Sequence, residues 1–149
     1  MDFHDEVRRH LKTVSLVGWT IIASLLVYLG IAGFISVRFK PFHGFGAVAD
    51  LRRLSYTLSA LAIVVLVLLR ILRQILLKKV PGEDGKTALH RLVRVTLLTL
   101  VLAEVPGILG LVRFLLGGLS LDFYVFIFVS LVLVFMYFPR RSGWEEWLS

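Results

Sequence analysis

Residues 13–37 form a run of 25 positions without a formal charge, closed by Lys12 on one side and Arg38 on the other. As a helix rising about 1.5 Å per residue, such a run crosses a hydrocarbon core of about 30 Å with length to spare for tilt. Its side chains need either lipid or a large protein core around them. A chain of 149 residues that is 58% hydrophobic and 18% charged has too few polar residues to clothe such a core. Lipid is the remaining solvent. Arg8, Arg9 and Lys12 before the run would also suit a signal peptide, but the apolar part exceeds the usual 7–15 or so residues. Ser36-Val37-Arg38 is also a poor cleavage site, so the run is expected to be a retained span.

Three further apolar blocks follow. Residues 54–69 are uncharged, and Arg70 and Arg73 extend that block by laying their stems along the helix and reaching for the interface. Lys78, Lys79 and the turn residues Pro81 and Gly82 end it, and Thr87 is a candidate cap for the next helix. Residues 95–112 lie between Arg94 and Arg113 and contain one charge, Glu104. The last block, 123–138, follows Gly117-Gly118, is lengthened by residues 119–121, and stops at Pro139-Arg140-Arg141. Inside a bilayer a helix satisfies its own backbone. The expectation is therefore one all-α membrane domain over residues 1–149, an integral bundle of four transmembrane helices forming two hairpins. The spans fall near 13–37, 54–77, 92–114 and 119–138.

The 17 Lys and Arg against 10 Asp and Glu give a net charge of +7. In a soluble domain that surplus would point to nucleic acid. Here the basic residues stand at the ends of apolar blocks, where they fix orientation, and no nucleic-acid partner is expected. Arg8, Arg9 and Lys12, the connection with Lys78, Lys79, Lys86, Arg91 and Arg94, and Arg140 with Arg141 outweigh Arg38, Lys40, Arg52, Arg53 and Arg113. Both termini are thus expected in the cytoplasm, with the protein in a bacterial inner membrane. Arg70, Arg73, Lys78 and Lys79 are in addition candidate contacts to anionic lipid headgroups.

Glu104 is the residue most open to chemistry. It lies mid-span, where an ionised side chain costs at least a few kcal/mol and polar groups mark function by default. One reading gives it a proton or cation to bind. The other makes it glue between helices, with Ser24, Tyr28 and Ser130 as hydrogen-bonding candidates. Arg113 is about 13 Å further along the helix and too distant for simple pairing within the span. Pro106 lacks the N–H that would bond the carbonyl of Leu102. Ala103, Gly107 and Gly110 make a strip of small residues that admits another helix closely.

The run Ala103-Glu104-Val105-Pro106-Gly107-Ile108-Leu109-Gly110-Leu111 resembles the ion-binding helix of the rotary ATPase proteolipids, the c subunits. The four-span layout is similar to the double-hairpin, vacuolar-type proteolipids. The resemblance implies that Glu104 carries a proton or sodium ion. In those proteolipids the carboxylate sits on the second helix of a hairpin, whereas Glu104 falls on the first helix of the second hairpin.

Other chemistry finds no residues to carry it. The chain has no cysteine, and His4, His10, His43 and His90 are dispersed outside the spans. No metal set, cofactor or catalytic triad is expected, and Asp122 reads as a helix-dipole partner. Trp144 and Trp147 read as interfacial anchors, as do the phenylalanines of the first connection. The expected role is a non-enzymatic subunit of a membrane assembly, bound to other membrane subunits or to copies of itself. Glu104 serves either ion movement or structure.

Overall fold

The computed structural model describes residues 2–46 and 50–149. They form α1 (Phe3–Arg38), α2 (Leu51–Leu76), α3 (Gly85–Gly117), α4 (Ser120–Tyr137) and α5 (Arg141–Leu148). The first four are long and apolar enough to cross a membrane, and the chain is an all-α membrane bundle. α1 starts at Phe3 rather than at residue 13, and α3 at Gly85 rather than at 92. The added turns carry Arg, Lys, Glu and Leu, good helix formers whose polar ends can reach water. Asp84, not Thr87, takes the N-cap position of α3.

The third helix is the hub. α1, α2, α4 and α5 all pack on α3, and α1 also touches α4. The second hairpin, α3 with α4, is the most closely packed pair, whereas α1 and α2 each lean chiefly on α3. The small residues of α3 explain this. A Cβ at Gly110 would stand 2.6 Å from the Cβ of Phe126 and 3.4 Å from the carbonyl oxygen of Phe123. One at Gly107 would stand 2.5 Å from Cδ2 of Leu25. Bare backbone therefore lets α4 and α1 approach from their two sides, which is how helices associate where lipid removes the hydrophobic drive. Leu25, Leu100, Ala103, Phe114, Phe123 and Val134 fill the buried centre. Thr96 and Thr99 donate to the carbonyls of Leu92 and Val95 at 2.8 and 2.7 Å, so their buried hydroxyls need no other partner.

The helices alternate in direction. At one end, His10 of α1 meets His90 of α3, with ring centroids 5.6 Å apart. There Nε1 of Trp147 donates to the carbonyl of Leu77 at 3.3 Å. Trp144 is only 5% exposed. The tail tryptophans, expected to anchor in the interface, dock α5 on the bundle, Trp144 beside Arg73 and Thr96 and Trp147 beside Leu77 and Arg91.

At the other end the first connection folds over the end of α3. The N–H groups of Phe45 and Gly46 donate to the carbonyls of Leu115 and Leu116 at 2.7 and 3.3 Å. These are among the carbonyls that a helix C-terminus leaves unpaired. Phe42 packs against Phe45 and Phe114, each at 5.0 Å. Of the phenylalanines assigned to the membrane interface, Phe45 thus caps α3 and Phe42 packs against its end. The chain then reverses at Gly118, whose φ of 67° is left-handed and whose missing side chain makes room for the backbone of His43.

Close approach at Gly110 has a measurable consequence. Gly110→Ala should lower the stability of the detergent-solubilised protein by about 1–3 kcal/mol, since Cβ of Phe126 cannot move without its helix. Gly30→Ala, where nothing lies within 4 Å of the added carbon, should leave thermal unfolding unchanged or raise it. Equal midpoints for the two variants would refute the packing argument.

Candidate functional site

Because α1 and α3 run side by side in the same direction, their residues meet at a steady offset. His10 faces His90, and 14 residues further along both helices Ser24 faces Glu104. Oε1 of Glu104 accepts the Tyr28 hydroxyl at 2.8 Å and lies in close hydrogen-bond contact with Oγ of Ser24. Ser24 and Tyr28 are four residues apart, so one turn of α1 presents both hydroxyls on one face. The three side chains are half-buried. The sequence places them in one constellation, and the structure brings them together.

The Ser24 oxygen also lies 2.9 Å from the carbonyl of Ile21. A serine has one proton to give. If it goes to Glu104, the carboxylate accepts two hydroxyls. If it goes to Ile21, a neutral Glu104 can donate to Ser24 while accepting from Tyr28. Either arrangement keeps α1 tied to α3.

Ser130 plays a different part from the one proposed for it. It is fully buried, and its oxygen accepts the N–H of Gly107 at 2.7 Å rather than contacting Glu104. With no side chain on Gly107, the hydroxyl of α4 reaches the backbone directly. Pro106 is buried within a helix that continues through it. Gly107, Gly110 and Ser130 thus form the α3–α4 seam beside the carboxyl, while Ser24 and Tyr28 form the contact itself.

Sequence reasoning missed a second polar junction. Arg113, 7% exposed, pairs with Oδ2 of Asp122 at 2.7 Å and donates from Nη1 to Oγ of Ser59 at 3.0 Å. Its guanidinium also lies 5.6 Å from the Phe126 ring centroid. One arginine therefore ties α2, α3 and α4 together. Asp122 is more than a helix-dipole partner, because the hairpin turn brings it across from Arg113. The available signal was symmetry: the two charges stand four positions before Gly117 and four after Gly118.

The basic line divides in space. Arg70 and Arg73 border a groove with Tyr137 of α4, whereas Lys79 borders another crevice with Glu83, Arg91 and Trp147. Arg91 pairs with Glu83 at 2.6 Å and stacks over Trp147 at 5.5 Å. The four histidines are less scattered than expected, since His10 and His90 touch. Among the described residues no three His, Cys, Asp or Glu side chains converge in a way that could hold a metal ion.

Comparisons with protein-family models, curated proteins and solved structures give no match. The proteolipid resemblance of the Glu104 helix rests on its own residues.

The Arg113 junction can be tested by a double-mutant cycle. Asp122→Leu should strand a buried guanidinium and cost on the order of 3 kcal/mol, reduced by the partial exposure of Asp122. Arg113→Met combined with Asp122→Leu should recover most of that loss, because no charge is left unpaired. Additive losses in thermal unfolding would show that the pair is not coupled.

Proposed function

We propose that the chain is a non-catalytic structural subunit of a larger membrane assembly, with Glu104 as polar glue between α1 and α3. The observation that carries this reading is the meeting of one mid-span carboxyl with two hydroxyls of a neighbouring helix. Hydrogen bonds between transmembrane helices contribute about 0.6–2 kcal/mol each and fix register as well as distance. The remaining architecture fits the role. α2 buries only Ala62, Val65 and Leu69 and leaves Tyr56, Ile63 and Ile75 facing outward, an apolar surface available to lipid and to neighbouring subunits. The surplus of basic residues supports a cytoplasmic position for the end with His10 and α5, in a bacterial inner membrane.

The second reading is proton or cation movement through Glu104, in keeping with the proteolipid resemblance. It is favoured by the half-buried carboxyl, by hydroxyl partners that accept either protonation state, and by the neighbouring Pro106. The two readings part at Glu104→Gln. Gln can accept from Tyr28 and donate to Ser24, so glue survives it, but it can release no proton. A structural role predicts a Gln variant that behaves as wild type in stability, assembly and function. It also predicts that Glu104→Leu loses about 1–2 kcal/mol or detaches from its partners. A stable Gln variant that assembles but lacks function, and escapes a carbodiimide that modifies the wild type, would replace glue with ion movement.

Orientation has its own test. Lys40 and Lys86 are exposed at opposite ends of the bundle. Cysteines placed singly at these positions should be labelled from opposite sides of the membrane, with Lys86→Cys reached from the cytoplasm. Labelling of both from one side would refute the topology.

A further inference from the structure

Near the end of the bundle that holds α5, α2 and α4 flank an open groove of about 540 Å³ lined by Arg70, Arg73, Gln74, Leu77, Met136 and Tyr137. A smaller crevice of about 150 Å³ shares Arg73 and Tyr137 with it and adds Arg140 and Trp144. Arg73 stands between the two. Its guanidinium is held 4.8 Å from the Tyr137 ring centroid, and its Nη1 is closed off from solvent with no hydrogen-bond partner.

What distinguishes this place is uncompensated charge. No Asp or Glu lines either cavity, and none of the ion pairs among the described residues involves Arg70, Arg73 or Arg140. The neighbouring basic crevice differs, since Glu83 already answers Arg91 there. Arg70 and Arg140 are exposed and Arg73 is half-buried, so three unpaired cations stand together and the shielded Nη1 of Arg73 is left to an anion. The walls specify its form. Leu77 and Met136 supply an apolar part of the wall, and Arg70, Arg73 and Gln74 a polar part. A guanidinium matches phosphate oxygens in geometry, and basic pockets between helices near the cytoplasmic surface suit anionic headgroups.

We infer that this groove binds an anionic phospholipid, with its phosphate on Arg70 and Arg73. Arg140 adds positive potential from the second crevice. Lys78 and Lys79 are not part of the site.

The experiment is lipid retention by the full chain in phosphatidylcholine nanodiscs containing a minor fraction of phosphatidylglycerol, read by native mass spectrometry after extraction. The wild type should retain phosphatidylglycerol in preference to phosphatidylcholine. Arg70→Gln with Arg73→Gln should reduce that preference about tenfold, whereas Lys78→Gln with Lys79→Gln, an equal change in charge, should keep it. Met136→Trp fills the groove without altering charge and should also release the lipid, which covers the case of an arginine variant that fails to fold. Equal losses from the arginine and lysine pairs would mean diffuse surface attraction and would overturn the site. Displacement by inorganic phosphate, with Met136→Trp without effect, would assign the arginines to a soluble anion and overturn the lipid.

Discussion

Everything in this bundle depends on how closely other backbones can approach α3. In lipid the apolar side chains of one helix gain little by leaving their surroundings for those of another, so contact distance and polar links decide association. Gly107 and Gly110 remove the side chains that would hold α1 and α4 away. Once those helices are close, short-range polar contacts become possible: the Gly107 N–H reaches Ser130, and Glu104 reaches Ser24 and Tyr28. A wider spacing would leave each of these groups facing hydrocarbon, where an unmade hydrogen bond is costly. Close packing and polar satisfaction are one constraint seen twice.

The polar links are arranged by depth. His10 and His90 meet at one end, Glu104 and its hydroxyls lie near the middle, and Arg113 with Asp122 and Ser59 occupies the other end. The α1–α3 contact is thereby set in register along its length, and the Arg113 junction fixes α2 and α4 against the same helix. Apolar surfaces in lipid slide easily past one another, so specific pairing must come from such points. Functional and structural readings of Glu104 both require this register, since a carboxyl that loses its hydroxyls is neither a latch nor a tuned site.

The four spans were legible because lipid imposes a minimum length of apolar helix, and the runs between Lys12, Arg38, Arg94 and Arg113 meet it without any tertiary information. The Glu104 constellation was legible in part. A mid-span carboxyl needs a partner, and Ser24 and Tyr28 lie at matching depth one turn apart. Ser130 satisfied the same depth criterion yet bonds Gly107, because depth along the membrane does not say which side of α3 a helix occupies. Arg113 with Asp122 went unread for a related reason: their meeting depends on the hairpin turn at Gly118, not on separation along one helix. The docking of α5 and the capping of α3 by Phe45 and Gly46 rest on loop geometry, which hydropathy does not encode.

The hub position of α3 bears on the order in which the bundle is made. During synthesis α1 and α2 reach the membrane before the helix on which both chiefly lean, so each must be stable in lipid as a separate helix. The uncharged run of α1 meets that requirement, and α2 meets it once Arg70 and Arg73 lay their stems along the helix. When α3 follows, its carboxyl enters a bilayer in which the hydroxyls of Ser24 and Tyr28 already stand at the right depth. The least soluble step of insertion thus comes with its partners waiting, and the third helix acts as the template on which earlier and later segments assemble.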